Sequence, residues 1–504
     1  MRKIILNGVA IFLLLNTSCA DQNDSTEVIT SDNSEYQQET PLSVEEINQI
    51  IKEEIELKGD FKWNTASDFM LWSALMHGDN VLTIGYGADK NDFMNKTTAL
   101  QKSSKLGILD IIKMSEAGNT SNKTEEILIH DDDVLTVIDV IVDKMETIKR
   151  LRKKKDIRYL EPSGYRYFQN VERKSLSSSG CGTENEDLNV SDYVSITPNA
   201  KMPWNFSYHN INNAWSYSTG NGITVGVIDT GASTSQSMLN GNLNNGYSSG
   251  RTIERYGVYV DSFWPWSTKT DGINDKCGHG TSMSATVGAP RNDKGLPVGV
   301  AYNSNLVVYR AASNVVLDGY HEQKGVARAF TEMANRNDVK IISMSMGHIF
   351  SVGRIEDAIK YAYNKGKLIF CAGGTSTSFT SFVGVIFPAS MSQTVAVTGL
   401  QESSVYSECD VCHTGSEIDF TILMERSNNK HIPVLGYFDN ETDYVGGSSV
   451  ATATAAGIAA LVWSKNPGWS RSDVLNKLIT SSHLYPNKHG SFGWGVMDAL
   501  KAVQ

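Results

Sequence analysis

The sequence predicts an α/β protein built on a parallel sheet with helices on both faces, preceded by a smaller α+β domain. Two observations predict this fold. From about residue 201 to residue 504, apolar β-branched segments alternate with segments of helical periodicity, as in a parallel sheet joined by crossover helices. Before residue 168 the predicted strands and helices follow a different order, and a polar connection separates this part from the rest.

Residues 1–19 have the pattern of an export signal. Arg2 and Lys3 precede an apolar run, Ile4 to Leu15, that is too short to span a bilayer. Cys19 follows this run and resembles the cysteine of the bacterial lipobox, which becomes a lipidated N-terminus, although Asn16 stands where an aliphatic residue is usual. The small residues around Cys19 also suit an ordinary signal peptidase. Both alternatives predict an exported protein, either anchored to a bacterial membrane through Cys19 or secreted.

Residues 20–42 are polar and predict a disordered tether, and residues 43–167 predict a folded domain. Ser43 and Glu46 form a capping box at the start of its first helix. A strand, a helix, two strands, a helix and a last strand follow, at Val81 to Tyr86, 93–115, Glu126 to His130, Val134 to Val142, Lys144 to Lys155 and Ile157 to Pro162. Two strand-helix-strand halves predict a ferredoxin-like sandwich. An independent binding domain is the alternative.

Two charged clusters in this domain have simple structural explanations. Lys149 to Lys155 is basic, but the chain carries a formal charge of −11, so we expect a solvated helix face and no nucleic-acid partner. Asp131 to Asp133 lacks the glycine and distal glutamate of an EF-hand, so a tight acidic turn is expected. The sequence predicts no cofactor and no metal ligands, and it leaves structural calcium open.

Residues 168–200 connect the two domains through small and polar residues that a protease enters easily. If the chain matures by cutting itself, we expect the cleaved bond in this region. The large domain then spans residues 201–504. Its predicted strands are Thr224 to Ile228, Leu306 to Tyr309, Lys340 to Met344, Lys367 to Phe370 and Thr394 to Val397, with helices near 325–336 and 354–365.

Three motifs in the large domain carry reactive side chains. Asp229 ends an apolar β-branched strand, at the edge where open α/β sheets place their chemistry. His279 lies between glycines ahead of a helix of small residues. The run Gly446 to Trp463 opens with two glycines and two serines and continues as a buried helix, so a reactive serine is expected at its start. A serine hydroxyl needs a base and a group that orients the base.

The motifs VIDTG, GHGT and GSSVA, in the order Asp, His, Ser, resemble the subtilisin-like serine proteases. This order separates them from α/β-hydrolases and from chymotrypsin-like enzymes. The segments GLPVGVAYNSNLVVYR, SMSMG and PWNFSYHNINNAW extend the resemblance. It implies a parallel-sheet subtilisin-like catalytic domain in which Ser449 is the nucleophile, His279 the general base and Asp229 the group that orients His279. The adjacent Ser448 is the rival nucleophile, and the family motif favours Ser449.

The resemblance also implies a substrate cleft and an oxyanion site. Ser345, Met346 and Gly347 match the strand that lines the cleft of the family, and Gly347 is expected to offer backbone groups to an extended substrate. Gly374 stands where the family has an oxyanion asparagine, whose loss costs about 10²–10³ in kcat. Three interpretations follow: Thr375 or a backbone N–H supplies the donor, the enzyme is slow and selective, or the domain binds without cutting.

The segment DIRYLEPSGY, at the end of the small domain, resembles the close of the inhibitory propeptide found ahead of subtilisin-like catalytic domains. This resemblance implies that residues 43–167 act as a folding chaperone and inhibitor whose C-terminal tail lies in the substrate cleft. Together the motifs imply an exported serine endopeptidase that cuts protein or peptide substrates and is made as a self-inhibited zymogen. The alternative is a surface lipoprotein of the same fold that captures peptides or proteins without hydrolysis.

The cysteine count predicts two disulfides and one free thiol. Setting aside Cys19 leaves five cysteines, so at least one thiol of an exported chain is unpaired. Cys371 lies in an apolar strand and is the natural candidate. The remaining four are expected to pair as Cys409 with Cys412 and Cys181 with Cys277. Zinc at Cys409, Cys412 and His413 is the alternative, but the sequence shows no fourth ligand.

Overall fold

The computed structural model describes residues 40–87, 93, 98–117, 127–170, 180–375, 382–403 and 406–504. The predicted export signal, Cys19 and nearly all of the predicted tether lie outside the described residues. The same is true of residues 171–179 within the predicted maturation region.

The N-terminal domain, residues 43–167, is an antiparallel sheet packed against helices. Its helices are α1 (Val44–Lys58), α2 (Asp68–Met76), α3 (Ala99–Glu116) and α4 (Met145–Arg152), and its strands are β1 (Val81–Tyr86), β2 (Leu128–Asp132), β3 (Val137–Ile141) and β4 (Ile157–Glu161). The strand order is β2-β3-β1-β4 with antiparallel pairs, as in a ferredoxin-like β-α-β-β-α-β unit. The predicted capping box is confirmed, because Ser43 Oγ accepts from Glu46 N at 3.2 Å and the Glu46 carboxylate accepts from Ser43 N at 2.8 Å.

Two boundaries in this domain differ from the predictions. The helix expected from residue 93 begins at Ala99, because Thr98 and Gln101 form a second capping box at that point. Asp132 still pairs within the β2–β3 hairpin, so the turn lies at residues 133–136 and not at the acidic run itself. Both differences arise from local hydrogen bonds, which the spacing of apolar residues does not reveal.

The large domain is built on a seven-stranded parallel sheet with helices on both faces. Its strands, including two short antiparallel pairs, are β5 (Tyr193–Ile196), β6 (Ala200–Pro203), β7 (Thr224–Asp229), β8 (Ile253–Gly257), β9 (Asn305–Arg310), β10 (Val339–Met344), β11 (Leu368–Ala372), β12 (Val395–Gln401), β13 (Ile418–Glu425), β14 (Ile432–Leu435) and β15 (Thr442–Val445). Its helices are α5 (Asn205–Tyr208), α6 (Ile211–Ala214), α7 (His279–Gly288), α8 (Tyr320–Ala334), α9 (Gly353–Asn364), α10 (Gly447–Lys465), α11 (Arg471–Ser481) and α12 (Ala499–Val503). The sheet order is β13-β12-β11-β10-β7-β9-β8.

The five predicted strands are the five central strands of this sheet, and both edge strands were missed. β8 contains Glu254 and Arg255 and is only half-buried, so it has no continuous apolar run. β13 is almost entirely buried, but charged residues interrupt its sequence at Asp419 and Glu425. Burial alone therefore did not decide which strands were predicted.

Helix α10 crosses the core and carries the predicted nucleophile at its start. It packs on α7 and on the strands from β10 to β13. It also lies close to the connection between α7 and β9, since a Cβ at Gly457 would lie 2.6 Å from Val300 Cβ. Among the helices of the described residues, α10 has the length and hydropathy of a membrane span, but 89% of its apolar window is buried in the protein. It is therefore a core helix.

The N-terminal domain docks on α8 and α9 through buried charges. Asp139 on β3 forms an ion pair with Arg354 on α9, and Arg158 on β4 pairs with Asp357. The carboxylate of Glu161 accepts from the first backbone N–H of α9 at 2.9 and 3.0 Å. The first N–H groups of a helix have no partner within the helix, so this contact satisfies one of them and joins the last strand of the small domain to the large domain.

The described part of the predicted maturation region, residues 180–200, follows the surface of the large domain. Gly182 N donates to Cys277 O at 2.8 Å, and Glu186 N donates to Thr442 O at 2.9 Å. The strand pair β5–β6 then leads into the rest of this domain. This stretch is thus docked along its described length.

Both predicted disulfides are confirmed. Cys181 is bonded to Cys277, and Cys409 is bonded to Cys412. The sulfurs of the second pair are joined to each other, so the alternative of a zinc site at these cysteines is wrong. Cys371 is the free cysteine of the described residues, and burial raises the pKa of its thiol well above the usual value.

Candidate active site

Three elements bring the predicted catalytic side chains to one edge of the sheet. Asp229 is the last residue of β7, His279 is the first residue of α7, and Ser449 lies in the first turn of α10. The carboxyl edge of a parallel sheet collects such strand ends and helix starts. Asp229 is fully buried and His279 is 6% exposed. Electrostatic interactions between them are therefore weakly screened by water.

Asp229 and His279 form a buried hydrogen bond. The distance from His279 Nδ1 to Asp229 Oδ1 is 2.8 Å. The same carboxylate oxygen accepts from the backbone N–H of Thr230 at 2.8 Å, which holds it in position. In the neutral ring Nδ1 must then carry the proton, and Nε2 is the nitrogen left to accept one.

Two carboxylates raise the pKa of His279. Burial opposes this, because desolvation disfavours the charged ring, but the charge and hydrogen bond of Asp229 and the charge of Asp275 outweigh it. Asp275 was not predicted. It is buried and accepts from three backbone N–H groups at 2.8 to 2.9 Å and from the Thr281 hydroxyl at 2.7 Å. The sequence feature that could have revealed Asp275 is an aspartate four residues before the histidine, at the start of a helix.

Ser449 lies near His279 with its hydroxyl turned to a different partner. Ser449 Oγ donates to the carbonyl oxygen of Ser345 at 3.5 Å, and Ser345 Oγ donates to Ser449 O at 3.0 Å. Within the described part of the chain, Ser449 makes no hydrogen bond with His279. A serine hydroxyl moves between staggered positions by rotation about χ1, and catalytic hydrogen bonds often form only with substrate present. The structure thus joins two of the three predicted side chains and holds the third nearby.

His279 and Ser449 face a common cavity of about 240 Å³. Thr375, Asp443 and residues 180–182 of the chain's own connection also line it. Asp443 was not predicted as a site residue, and burial raises the pKa of its carboxyl to about 6. Gly180 lies against the histidine ring, because a Cβ there would be 3.4 Å from His279 Cδ2.

The predicted oxyanion region is a cluster of short side chains around Ser448. Gly374 N donates to Ser448 Oγ at 3.1 Å, and Ser448 N donates to Thr375 Oγ1 at 3.3 Å. The two hydroxyl oxygens are 3.2 Å apart. Gly374 has a φ of +128°, and a Cβ there would lie 2.5 Å from His413 Nδ1. The subtilisin-like family has an asparagine at this position. In this protein, the ring of His413 leaves no room for a side chain there.

The predicted substrate-binding strand is already paired within the chain. Ser345 and Met346 are buried. Gly347 N donates to Val315 O at 3.0 Å, and Leu317 N donates to Gly347 O at 3.0 Å. We expected Gly347 to offer these two groups to an extended substrate. In this structure, residues 315–317 occupy that edge, so the expectation does not describe this state of the protein.

The described residues contain no group of three or more His, Cys, Asp or Glu side chains arranged to hold a metal ion. The cavity chemistry is that of an imidazole, a carboxylate and hydroxyl groups. Such a set suits proton transfer and nucleophilic attack by an alcohol.

The Subtilase family description matches residues 220–495, which is more than half of the chain. Subtilisin from Bacillus sp. (strain TA39) is 26% identical over 304 residues, covering 57% of this chain and 67% of that protein. Alkaline elastase YaB from Bacillus sp. (strain YaB) is 28% identical over 316 residues, covering 62% and 74%. Among solved structures, sphericase is 25% identical with a TM-score of 0.47, covering 58% of this chain and 97% of that one.

Proposed function

Because this chain belongs to the subtilase family and is a serine endopeptidase, we propose that it cuts peptide bonds with Asp229, His279 and Ser449 and is made as an exported, self-inhibited precursor. The observation that carries this proposal is the buried 2.8 Å contact between His279 Nδ1 and Asp229 Oδ1, with Ser449 lining the same cavity. It leaves the basic nitrogen of the imidazole on the side away from Asp229.

The chemistry follows from this arrangement. After rotation about χ1, Ser449 Oγ attacks the carbonyl carbon of the substrate while His279 Nε2 takes the hydroxyl proton. The imidazolium then gives this proton to the leaving amine, and an acyl-enzyme remains. Water attacks the ester with its proton moving to Nε2, and that proton returns to Ser449 Oγ as the acid leaves. Asp229 holds the tautomer and stabilises the charged ring, in agreement with the raised pKa of His279.

We assign the oxyanion donor to Thr375 together with the backbone N–H at Ser449. Thr375 lines the cavity and Ser448 lies behind it. The Thr375 hydroxyl is placed beside the nucleophile, and in this proposal it stabilises the developing negative charge as the asparagine side chain does in the family.

We assign inhibition to the N-terminal domain and the segment that follows it. Tyr167 N and Phe168 N donate to the Asp318 carboxylate at 2.9 and 3.0 Å, so the end of this domain is bound beside the cleft. Further along, Gly180 lies against the ring of His279. A chain that passes the catalytic histidine is in position to be cut, which supports maturation within residues 168–200.

Export rests on the N-terminal pattern and on the secretory character implied by the resemblance. In this proposal Cys19 carries a lipid anchor and residues 20–42 act as the tether, with secretion after cleavage near Cys19 as the alternative outcome. Metabolic labelling with a fatty acid tests the anchor, since Cys19→Ala removes the label if the lipidated form exists.

The catalytic assignment is tested with a fluorophosphonate probe on purified protein. The parent is expected to be labelled and to undergo maturation, and Ser449→Ala is expected to lose both. Ser464→Ala is the matched control, because Ser464 lies in the same helix and bonds to Asn221 O at the surface. Labelling or self-maturation of Ser449→Ala, in the absence of other proteases, contradicts the assignment.

A further inference from the structure

Residues 409–413 contact the oxyanion region from outside the catalytic cavity. We call them the disulfide loop, because they contain the second disulfide. In this loop Cys412 forms an antiparallel bridge with Thr375, and His413 N donates to Gly374 O at 3.0 Å. The disulfide loop is therefore bonded to the stretch of backbone that carries Thr375, whose hydroxyl is assigned above as an oxyanion donor.

Gly374 depends on outside contacts to keep its conformation. Its φ is +128°, a value that favours glycine, and glycine has more backbone freedom than any other residue. Its N–H donates to Ser448 Oγ at 3.1 Å, and its carbonyl oxygen accepts from His413 N at 3.0 Å. The peptide groups on both sides of Gly374 are thus bonded, one to the helix that carries the nucleophile and the other to the disulfide loop.

The ring of His413 packs directly on Gly374. His413 is buried, and a Cβ at Gly374 would lie 2.5 Å from His413 Nδ1 and 2.9 Å from its Cγ. Both distances are shorter than ordinary contact between non-bonded atoms, so the ring fills the space that a side chain at residue 374 would need. The ring therefore also prevents the Gly374 backbone from moving in that direction.

His413 is itself held at its ring and at its backbone. Nδ1 donates to the carbonyl oxygen of Gly384 at 2.7 Å, and the backbone oxygen of His413 accepts from Thr398 Oγ1 at 2.6 Å. Thr398 is fully buried in β12. Ile386 N donates to Gly373 O at 2.9 Å, which joins the segment that contains Gly384 to the backbone just after β11. These bonds hold the ring in one position against Gly374.

The ring of His413 has no proton to offer to an oxyanion. A carbonyl oxygen only accepts hydrogen bonds, so Nδ1 carries the ring proton and Nε2 has a lone pair. Burial lowers the pKa of His413, so the ring is neutral at neutral pH. Of the described residues, those that line the cavity do not include His413. Its effect on catalysis must therefore pass through Gly374 and Thr375.

We propose that His413 is a positioning residue for the reaction, because it fixes the backbone at Gly374 and so sets where the Thr375 hydroxyl lies. The inference rests on the proposed function and deepens it. A threonine hydroxyl is attached to Cβ, so its position follows the backbone closely. Displacement of a catalytic group by about 1 Å costs up to about 10²-fold in rate.

A purely structural role for His413 is the alternative. A buried side chain that fills space and bonds to a carbonyl oxygen stabilises the fold wherever it lies. His209 is such a residue, since it is fully buried and its Nδ1 contacts Met497 O at 2.8 Å. It is not one of the described residues that line the cavity, so it provides the matched control.

The first test measures steady-state kinetics of the matured enzyme on one peptide, with active sites counted by the fluorophosphonate probe. His413→Ala removes the ring and its bond, and kcat is expected to fall by about tenfold to a hundredfold with KM within about twofold of the parent. His413→Asn keeps a donor near the position of Nδ1 and should recover much of the lost kcat. His209→Ala should lower the temperature of unfolding and leave kcat unchanged.

The second test asks whether His413 acts through Thr375. In a Thr375→Val background, His413→Ala is expected to change kcat by less than about twofold, because the hydroxyl that the ring positions is already absent. His413→Leu, which fills the space without a donor, replaces His413→Ala in both tests if the alanine variant does not fold.

Unchanged kcat in His413→Ala, a rise in KM alone, or an equal loss of kcat in the parent and Thr375→Val backgrounds overturns the inference. An equal loss of kcat in His209→Ala also overturns it and assigns both histidines to the stability of the fold. Labelling of Ser449 by the probe and cleavage of the peptide would keep the proposed function in those cases. A parent that is neither labelled nor able to cleave the peptide overturns the proposed function and this inference with it.

Discussion

The cavity wall and the interface between the two domains are built from opposite kinds of side chain. Beside Ser449, Thr375 lines the cavity, and Gly374 and Ser448 support it through hydrogen bonds of 3.1 to 3.3 Å. The domain interface instead buries full charges, of which the ion pair of Asp139 and Arg354 is the most enclosed.

This difference determines which kind of substitution should affect each region. Bonds among neutral hydroxyl and amide groups contribute little net free energy each, and they depend on shape. A buried ion pair becomes strongly destabilising when one partner is removed, so it depends on charge. We expect changes of charge to loosen the docked N-terminal domain without altering the cavity, and changes of shape to alter the cavity without loosening the domain.

The largest effect is expected from Arg354→Ala. This change leaves the Asp139 carboxylate buried with its cation removed, which costs about 3–5 kcal/mol of docking free energy. Hydrogen exchange of the β3 amides, measured in the full chain with Ser449→Ala, should become correspondingly faster. Lys62→Ala is the control, since its ion pair with Glu356 is half-exposed and worth under about 1 kcal/mol. Similar small effects in both variants would contradict the view that buried charge holds the interface.

Thr375→Val should affect catalysis alone. The change removes a hydroxyl and keeps the shape of the side chain, so kcat is expected to fall by about 10²–10³ with KM and domain docking unchanged. Thr375→Ser keeps the hydroxyl and should retain most of the activity. Steady-state kinetics of the matured enzyme measure both. If the valine variant stays within about twofold of the parent, backbone N–H groups alone supply the oxyanion donors.

Gly374→Asn should fail to improve the enzyme. A Cβ at this position meets His413 Nδ1 at 2.5 Å, so the structure must shift, and we expect a loss of about 1–3 kcal/mol in stability with no gain in kcat. Gly366→Asn is the matched control, because Gly366 has a φ of +83° and open space around its Cβ position. Thermal unfolding and kcat are measured for both variants. The Gly366 variant reports backbone strain alone, and any further loss in the Gly374 variant reports crowding by His413. A higher kcat with unchanged stability would show that an oxyanion donor is missing and that the site has room for it.

The smallest effect is expected from Glu161→Gln, which should change how the stability of the docked N-terminal domain depends on pH. Burial raises the pKa of Glu161 to about 8 from 4.5, more than its bond to the first N–H of α9 lowers it. The docked state therefore takes up a proton between these values, and the stabilising contribution present at low pH is lost as the pH rises from about 4.5 to about 8.

Thermal unfolding of the N-terminal domain between pH 5 and 8.5 measures this, again in the full chain with Ser449→Ala. The parent should lose docking stability as the pH rises, and Glu161→Gln should show a flatter profile. Asp357, whose pKa burial raises to about 6, accounts for the slope that remains. Parallel profiles for parent and variant would show that Glu161 does not titrate in this range.

Predictions that depended on continuous local patterns are confirmed by the structure. The central strands of the sheet follow from β-branched apolar runs, and the start of α1 follows from the spacing of Ser43 and Glu46. The edge strands β8 and β13 were missed because charged residues interrupt the apolar sequence of each. Asp275 was missed for a related reason, since its partners are backbone N–H groups that no residue type reveals.

The pattern of residue types along the chain was enough to predict the layered α/β fold, because buried strands and helices leave their periodicity in the sequence. The choice of Asp229, His279 and Ser449 followed from the resemblance of their motifs to a known family. Only folding in three dimensions decided that residues 315–317 pair with Gly347 and that His413 closes the space beside Gly374. These are contacts between segments far apart in the chain, and backbone hydrogen bonds and packing distances decide them.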